Sequence, residues 1–475
     1  MEDVYEDLSE NKKFKILMCT VAMTFMSCID SSIVNVALPL IAHDLHSTMA
    51  GVQWIVTSYL MTIAVLILLC GRIGDIKGKC KVFKTGILIF TVGSVLSGLS
   101  KVLPLLICSR VIQGMGASCT MAVSMGIISK TYSSKGRAKA MGISSSAVAL
   151  GTMIGPALGG MIAAIRWDLI FWINVPIGII AFISSVKVLP KNDNSTNEKI
   201  DFRGTIVFGI FIVSLILSVT EGEFLGYTNK IILLGFLIAI LSLSLFIYLQ
   251  KTVKSPVLDL TLFKNKLFLL SVGCGFFTFI AVSCQTILLP FYLQDSLNIS
   301  PFYSGLFLII YPLVLGIASP ISGDLADRLN PELISTIGTI FLALGFLLMG
   351  TIKEGTPLWY VGVYNAIMGL GNGMFKSSNN SLVMARIPKE KLGIAGSVNS
   401  LFRNIGMTFG FTLATTLLYD RMSKMLGYKV SNYIVGKDFV FISAMNSVFK
   451  VAAIMCFVSV ILSIIRYKKY KNNQL

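Results

Sequence analysis

Fourteen apolar stretches recur along the 475-residue chain, each close to the roughly 20 residues that a helix needs to cross a hydrocarbon core about 30 Å thick. They fall near 15–38, 51–71, 82–100, 102–128, 138–164, 168–188, 203–221, 230–250, 267–293, 302–322, 333–352, 357–384, 393–419 and 441–465. Inside lipid the backbone must satisfy its own hydrogen bonds, which a helix does within one segment. The expected fold class is therefore an all-α integral membrane protein with fourteen transmembrane helices. Composition agrees. Only 13% of residues are charged and the mean hydropathy is +0.79, whereas ordinary soluble domains carry about 25% charged residues. The first stretch is longer than a signal-peptide core and lacks a small-residue cleavage site, so it reads as a retained span.

The net charge of +17 would suit a nucleic-acid partner if it formed one patch, but it does not. Most of the 40 Lys and Arg fall in alternate inter-span segments, the two chain ends among them. Basic loops stay on the cytoplasmic side, which places both termini there and leaves anionic lipid head groups, not nucleic acid, as partners of the charge. Nine cysteines lie mostly within apolar runs and read as small buried residues. The two histidines, His43 and His46, are too few for a histidine-based metal site. No GxxxxGK[ST] loop is present, so ATP does not drive the protein directly. The acids are scattered and no long soluble segment exists, which argues against an enzyme and against any cofactor. Lys-, Ile- and Asn-rich usage with short loops points to a bacterial plasma membrane.

Two segments repeat. "GRIGDIKGKCK" (Gly71 to Lys81) follows the second span and "GDLADRLNPEL" (Gly323 to Leu333) follows the tenth, each with an Asp four residues after a Gly. If both open the same point of a six-span unit, the chain divides into residues 1–190 (a six-helix bundle), 191–255 (a linker with two additional helices) and 256–475 (a second six-helix bundle). Duplicated halves around a central site are a common transporter plan.

Asp30 interrupts the first span, where an acid costs roughly 2.5–3.5 kcal/mol on insertion scales. It lies about 15 residues, or roughly 22 Å, from the inner end, and Arg110 about 8 residues, roughly 12 Å, from the outer end of the fourth span. Their depths match. One reading is an ion pair that only orders the helices; the other is a carboxylate that takes up and releases a proton beside the transport path. Arg403 is near mid-membrane in the thirteenth span and needs an interior partner. Lys376 and Lys450 lie nearer span ends, where they can snorkel.

The motifs carry a resemblance. "IDSSIVNVALP" (Ile29 to Pro39), "GRIGDIKGKCK", "RVIQGMGAS" (Arg110 to Ser118), "GTMIGPALGG" (Gly151 to Gly160) and "FWINVPIG" (Phe171 to Gly178), in this order, resemble the major facilitator superfamily and its fourteen-span drug:proton antiporter branch. The resemblance implies two six-helix bundles plus two extra helices. It implies a proton-coupled antiporter that exports hydrophobic or amphipathic drugs; the alternative is an exporter dedicated to one metabolite, antibiotic or lipid-like compound. It assigns proton coupling to Asp30 and Arg110. It assigns gating to Gly71, Asp75, Gly78, Lys79 and Lys81, with Asp75 capping a helix of the other half and pairing with a base such as Arg137. The antiporter motif is Gly151, Gly155, Pro156, Gly159 and Gly160, a kinked small-residue face expected to pack on the tenth span near Gly305, Pro312 and Gly316. Candidate cavity residues are Gln53, Trp54, Tyr59, Phe276, Phe277, Gln285, Tyr311, Asn399, Phe402 and Arg403. The expected partners are small-molecule substrates, protons and membrane lipids, with a monomer as the working unit and neutral, monocationic or anionic compounds preferred over dications.

Overall fold

The structure, a computed structural model, describes residues 9–132, 134–190, 201–253, 256–258, 260–384, 387 and 392–472. Among these, all regular structure is helical. The first half runs α1 (Glu10–Asp44), α2 (Met49–Lys77), α3 (Lys79–Leu99), α4 (Leu103–Thr131), α5 (Ser134–Ala163) and the consecutive pair α6 (Leu169–Trp172) and α7 (Asn174–Val188). A hairpin of α8 (Phe202–Leu225) and α9 (Lys230–Thr252) follows. The remainder is α10 (Lys266–Phe291), which continues as one wide turn over Tyr292–Ser296 just after Pro290, then α11 (Pro301–Leu308), α12 (Ile310–Arg328), α13 (Pro331–Met349), α14 (Leu358–Met384), α15 (Leu392–Leu426) and α16 (Asp438–Asn472).

Eleven helical segments among the described residues are long and apolar enough to cross a membrane. Outside that set stand α5, α14 and α15, of 30, 27 and 35 residues. Their length suffices, since 27 residues of helix span about 40 Å; polar content sets two of them apart. Asn365, Asn372, Asn379 and Lys376 lie on α14, and Arg403 and Asn404 on α15, and these four asparagines are buried. The α8–α9 hairpin is the opposite case. It packs on itself through Phe208 and Phe246, with centroids 5.0 Å apart, and Asp201 ties its ends by accepting from Gly204 N and Gln250 Nε2. Its other faces leave Ile231, Leu234, Ile240 and Leu241 exposed, as lipid-facing residues are.

The chain forms two compact units, Met1–Ser32 with Ile55–Thr152 and Asp168–Leu260, and Ile33–Trp54 with Met153–Trp167 and Thr261–Leu475. In the first, α3 and α4 meet through glycines. A Cβ on Gly116 would stand 2.2 Å from Phe90 N and 2.6 Å from Gly86 O, and one on Gly93 would stand 2.5 Å from Gln113 N. In the second unit α13 and α14 meet in the same way. A Cβ on Gly371 would stand 2.5 Å from Leu342 N and 2.7 Å from Gly338 O, and one on Gly345 would meet Met368. Small residues let membrane helices approach this closely. Gly116→Leu is therefore expected to cost about 3 kcal/mol or more, because rigid backbone cannot yield to the new side chain. Gly126→Ala is expected to be mild, since its neighbour is the flexible stem of Lys79. Monodisperse yield and thermal unfolding in detergent check the contrast.

Candidate functional site

Asp30 is fully buried on α1. Its Oδ2 accepts from Arg110 Nη1 at 2.7 Å; its Oδ1 accepts from Asn174 Nδ2 at 2.7 Å and from Gln113 Nε2 at 3.0 Å. Arg110 and Gln113 stand one turn apart on α4 and so share a face. Asn174 is the first residue of α7. Gln113 Nε2 also donates to Ser94 Oγ on α3, and Arg110 Nη1 to Gln113 Oε1. Arg110 Nε donates to Ile55 O of α2, and its guanidinium carbon lies 4.2 Å from the Tyr59 ring centroid and 5.7 Å from that of Phe171. A desolvated guanidinium over an aromatic face gains about 2 kcal/mol. Arg110 Nη2 has no hydrogen-bond partner among the described residues.

Five helices of the first half, with α6 adding a ring, thus build one charged centre in an apolar interior. Every partner of the Asp30 carboxylate is a donor, the pattern that suits an acceptor-only ionised group. Three of the residues involved, Gln113, Asn174 and Ser94, were not singled out from the sequence. Gln113 and Asn174 lie inside the quoted motifs, and their polarity within apolar runs was the available signal. Tyr59, expected in a substrate cavity, lies under the Arg110 guanidinium.

The second half has its own buried ionic cluster. Arg466 Nε donates to Glu332 Oε2 at 2.5 Å, Nη1 to Ser271 Oγ and Asn379 Oδ1, and Nη2 to Ser335 Oγ and Ser463 Oγ. Both side chains are 1% exposed.

At the loop between α2 and α3, Gly78 has φ 98°, a backbone state that favours glycine. Asp75 is half exposed and its Oδ1 accepts from Lys79 Nζ one turn on. Among the described residues this local pair is what Asp75 forms. The side chain of Arg137 lies outside the described residues. Gly71 is half-buried in α2, and Lys81 lines, with Cys70, Ile73, Lys77, Val82, Thr85 and Cys119, a cavity of about 220 Å³.

The antiporter motif lies along α5. Gly151 packs on Phe25 O and Cys28, and Gly159 on Ile33 O. A Cβ on Gly160 would stand 2.4 Å from Pro301 O and 3.0 Å from Gly305 Cα, while one on Gly305 would stand 2.5 Å from Pro156 O. Thus α5 meets α11 glycine on glycine. Gly155 and Pro156 are buried between these contacts, whereas Gly316 has open space and takes no part. The same end of α1 is tied to the α10 extension, where Gln294 Nε2 donates to Val36 O at 2.9 Å and His43 lies 3.4 Å from Asp295.

Of the remaining cavity candidates, Phe276, Phe277 and Phe402 join one half-buried aromatic group on α10 and α15, with centroids 5.5 Å and 6.2 Å apart. Tyr311 accepts from Asn372 Nδ2, and Asn399 donates to Asn380. Gln53 is buried with Nε2 unpaired among the described residues, and Trp54 and Arg403 are half-buried. Gln285 Nε2 donates to Asn365 Oδ1.

Known proteins agree with this architecture. The chain resembles, at 34% identity over 96% of its length and 98% of the relative, the riboflavin transporter RibZ of Clostridioides difficile (strain 630). It is 30% identical to the multidrug transporter protein MdtP of Bacillus subtilis (strain 168), covering 90% of this chain and 79% of that one. It is 29% identical to the multidrug resistance protein Stp of Mycobacterium tuberculosis (strain ATCC 25618 / H37Rv), covering 86% and 76%. In fold it is similar to a bacterial homologue of the human drug peptide transporters PepT1 and PepT2, with a TM-score of 0.66 at 14% identity over 97% of this chain and 99% of that one. The model of the Major Facilitator Superfamily matches residues 20–410 and 271–474. With that match spanning most of a helical, membrane-suited chain, the protein belongs to the Major Facilitator Superfamily and is one of its transporters.

Proposed function

We propose that the chain is a proton-coupled antiporter of the bacterial plasma membrane that exports hydrophobic or amphipathic compounds by alternating access. The observation that carries this reading is the carboxylate of Asp30, buried in an apolar interior and held by Arg110, Gln113 and Asn174. A proton arriving on Asp30 has to displace at least one of these donors, so proton uptake and the Asp30–Arg110 bond are linked. An intramembrane acid is a functional-site candidate by default, and proton relays are among the uses of such acids. One charge moving through 100 mV carries about 2.3 kcal/mol, enough for tens-fold accumulation of substrate.

In this reading the chain has fourteen spans and cytoplasmic termini, six-helix bundles at 1–190 and 256–475, and two added helices between. The Gly160–Gly305 contact of α5 on α11 belongs to the outer gate in this reading, and the Asp75–Lys79 loop to the inner one. Relatives named as multidrug transporters support drug export. A second reading, a carrier dedicated to one compound, is favoured by RibZ, whose whole length the chain matches.

Inside-out vesicles with an acid lumen test both. Ethidium is expected to accumulate and to leak out when nigericin removes the pH gradient. Accumulation that ignores the gradient sinks the coupling; accumulation of riboflavin with none of ethidium selects the dedicated carrier.

A further inference from the structure

The two halves repeat in their contacts, and the repeat places one member of a second buried pair at the position of Arg110. Gly116 and Gly371 make the same backbone contacts on α3 and α13, to Phe90 N with Gly86 O and to Leu342 N with Gly338 O. This sets the register of α14 against α4, and in it Asn365 takes the place of Arg110. Asn365 bonds to α10, its Oδ1 accepting from Gln285 Nε2, so a pair of neutral amides joins α10 to α14 where the ion pair of the first half joins α1 to α4.

The polar groups around the first pair are not repeated. Met368 stands at the position of Gln113 and Phe346 at that of Ser94, both fully buried. Gln285 is 5% exposed and Asn365 fully buried, yet Gln285 Oε1 and Asn365 Nδ2 have no partner among the described residues. Exchanging O and N in both side chains still leaves one amide donor and one carbonyl acceptor unmatched. A buried unmatched polar group costs about 1–3 kcal/mol. In a native structure such a group calls for a ligand or another specific reason.

We propose that Gln285 and Asn365 recognise a neutral planar group presenting a donor beside an acceptor, the edge of a lactam, cyclic imide or ureide, on the transported compound. The pair carries no formal charge, so it selects by hydrogen-bond pattern where the first-half pair handles charge. This assignment rests on the transporter reading and names its substrate chemistry. Sites built to bond a polar edge reject analogues lacking it, because the protein groups are then left unpaired.

The test uses the full chain in lipid nanodiscs at fixed pH with no gradient, reading the binding of riboflavin, which has an imide edge, and of 3-methylriboflavin, in which that N–H is methylated. The chain is expected to favour riboflavin by about tenfold, the worth of one well-made buried hydrogen bond. In Gln285→Met and in Asn365→Leu the preference is expected to fall to about one. The double variant Gln285→Asp/Asn365→Arg replaces the amide pair by a mutually neutralising ion pair and keeps the site filled; it is expected to lose the preference, with elution as a monodisperse protein as the check on folding. Equal affinity for the two flavins in the unaltered chain, including no measurable affinity for either, overturns the proposal. So does a preference that survives in the folded variants. Failure of proton coupling would instead appear as gradient-independent transport in vesicles, a readout that this binding measurement does not share.

Discussion

Asp30→Asn is expected to abolish uphill, proton-driven transport while leaving substrate exchange across the membrane intact. Asparagine is close to isosteric with aspartate and keeps one oxygen for the donors of Gln113, Asn174 and Arg110, but it cannot titrate. Without titration the cycle has no step at which the proton gradient acts, so pH-driven accumulation falls to the level of empty vesicles. Counterflow needs the carrier to change facing but needs no gradient, and it continues. The substitution also leaves the Arg110 guanidinium buried without its counter-charge, and breaking a buried pair from one side costs about 3–5 kcal/mol. That loss is separable from loss of coupling. The second half buries a Gln–Asn pair between α10 and α14, so Asp30→Gln/Arg110→Asn, with no stranded charge, is expected to recover much of the stability of the single variant and none of the coupling. Full pH-driven accumulation by Asp30→Asn would remove the carboxylate from the mechanism.

What the sequence disclosed follows from what each feature looks like in one dimension. The helical membrane fold is written in runs of apolar residues. The meeting of Asp30 with Arg110 is legible because both are charges inside such runs at matching depth. The Gly160 contact with Gly305 is legible because small residues on a proline-bearing helix need a close partner. Glu332 and Arg466 were hidden by position, lying at the edges of apolar runs. A basic residue near the chain end reads as part of a cytoplasmic tail, whereas α16 continues to Asn472 and carries Arg466 inward. The Gln285–Asn365 pair was hidden for another reason. Gln285 was visible as a polar residue in an apolar run, but its partner Asn365 depends on how α10 packs on α14, which the sequence does not show. Tyr59 was expected at a cavity because aromatic residues line pockets; its place under the Arg110 guanidinium leaves no separate mark on the sequence.

The Arg466 cluster carries the other large effect, one of stability. Arginine has five N–H donors, and all five groups that receive them, on Glu332, Ser271, Asn379, Ser335 and Ser463, belong to four helices, α10, α13, α14 and α16. Asn379 adds a bond from Nδ2 to Ser271 O, and Ser463 one to Thr336. Truncation to Arg466→Met takes the guanidinium away from the 1% exposed Glu332 carboxylate, and one-sided removal of this kind costs about 3–5 kcal/mol. A bundle whose helices move as one body depends on such cross-links, so the unfolding midpoint in detergent is expected to drop and the yield of folded protein with it. Glu332→Gln in the same chain removes the stranded charge and is expected to recover most of the loss, because apolar or neutral replacements of a whole buried pair are often neutral in cost. A double variant no more stable than Arg466→Met would mean that the charge is not what holds these four helices together, and that the loss comes from packing of the long arginine side chain instead.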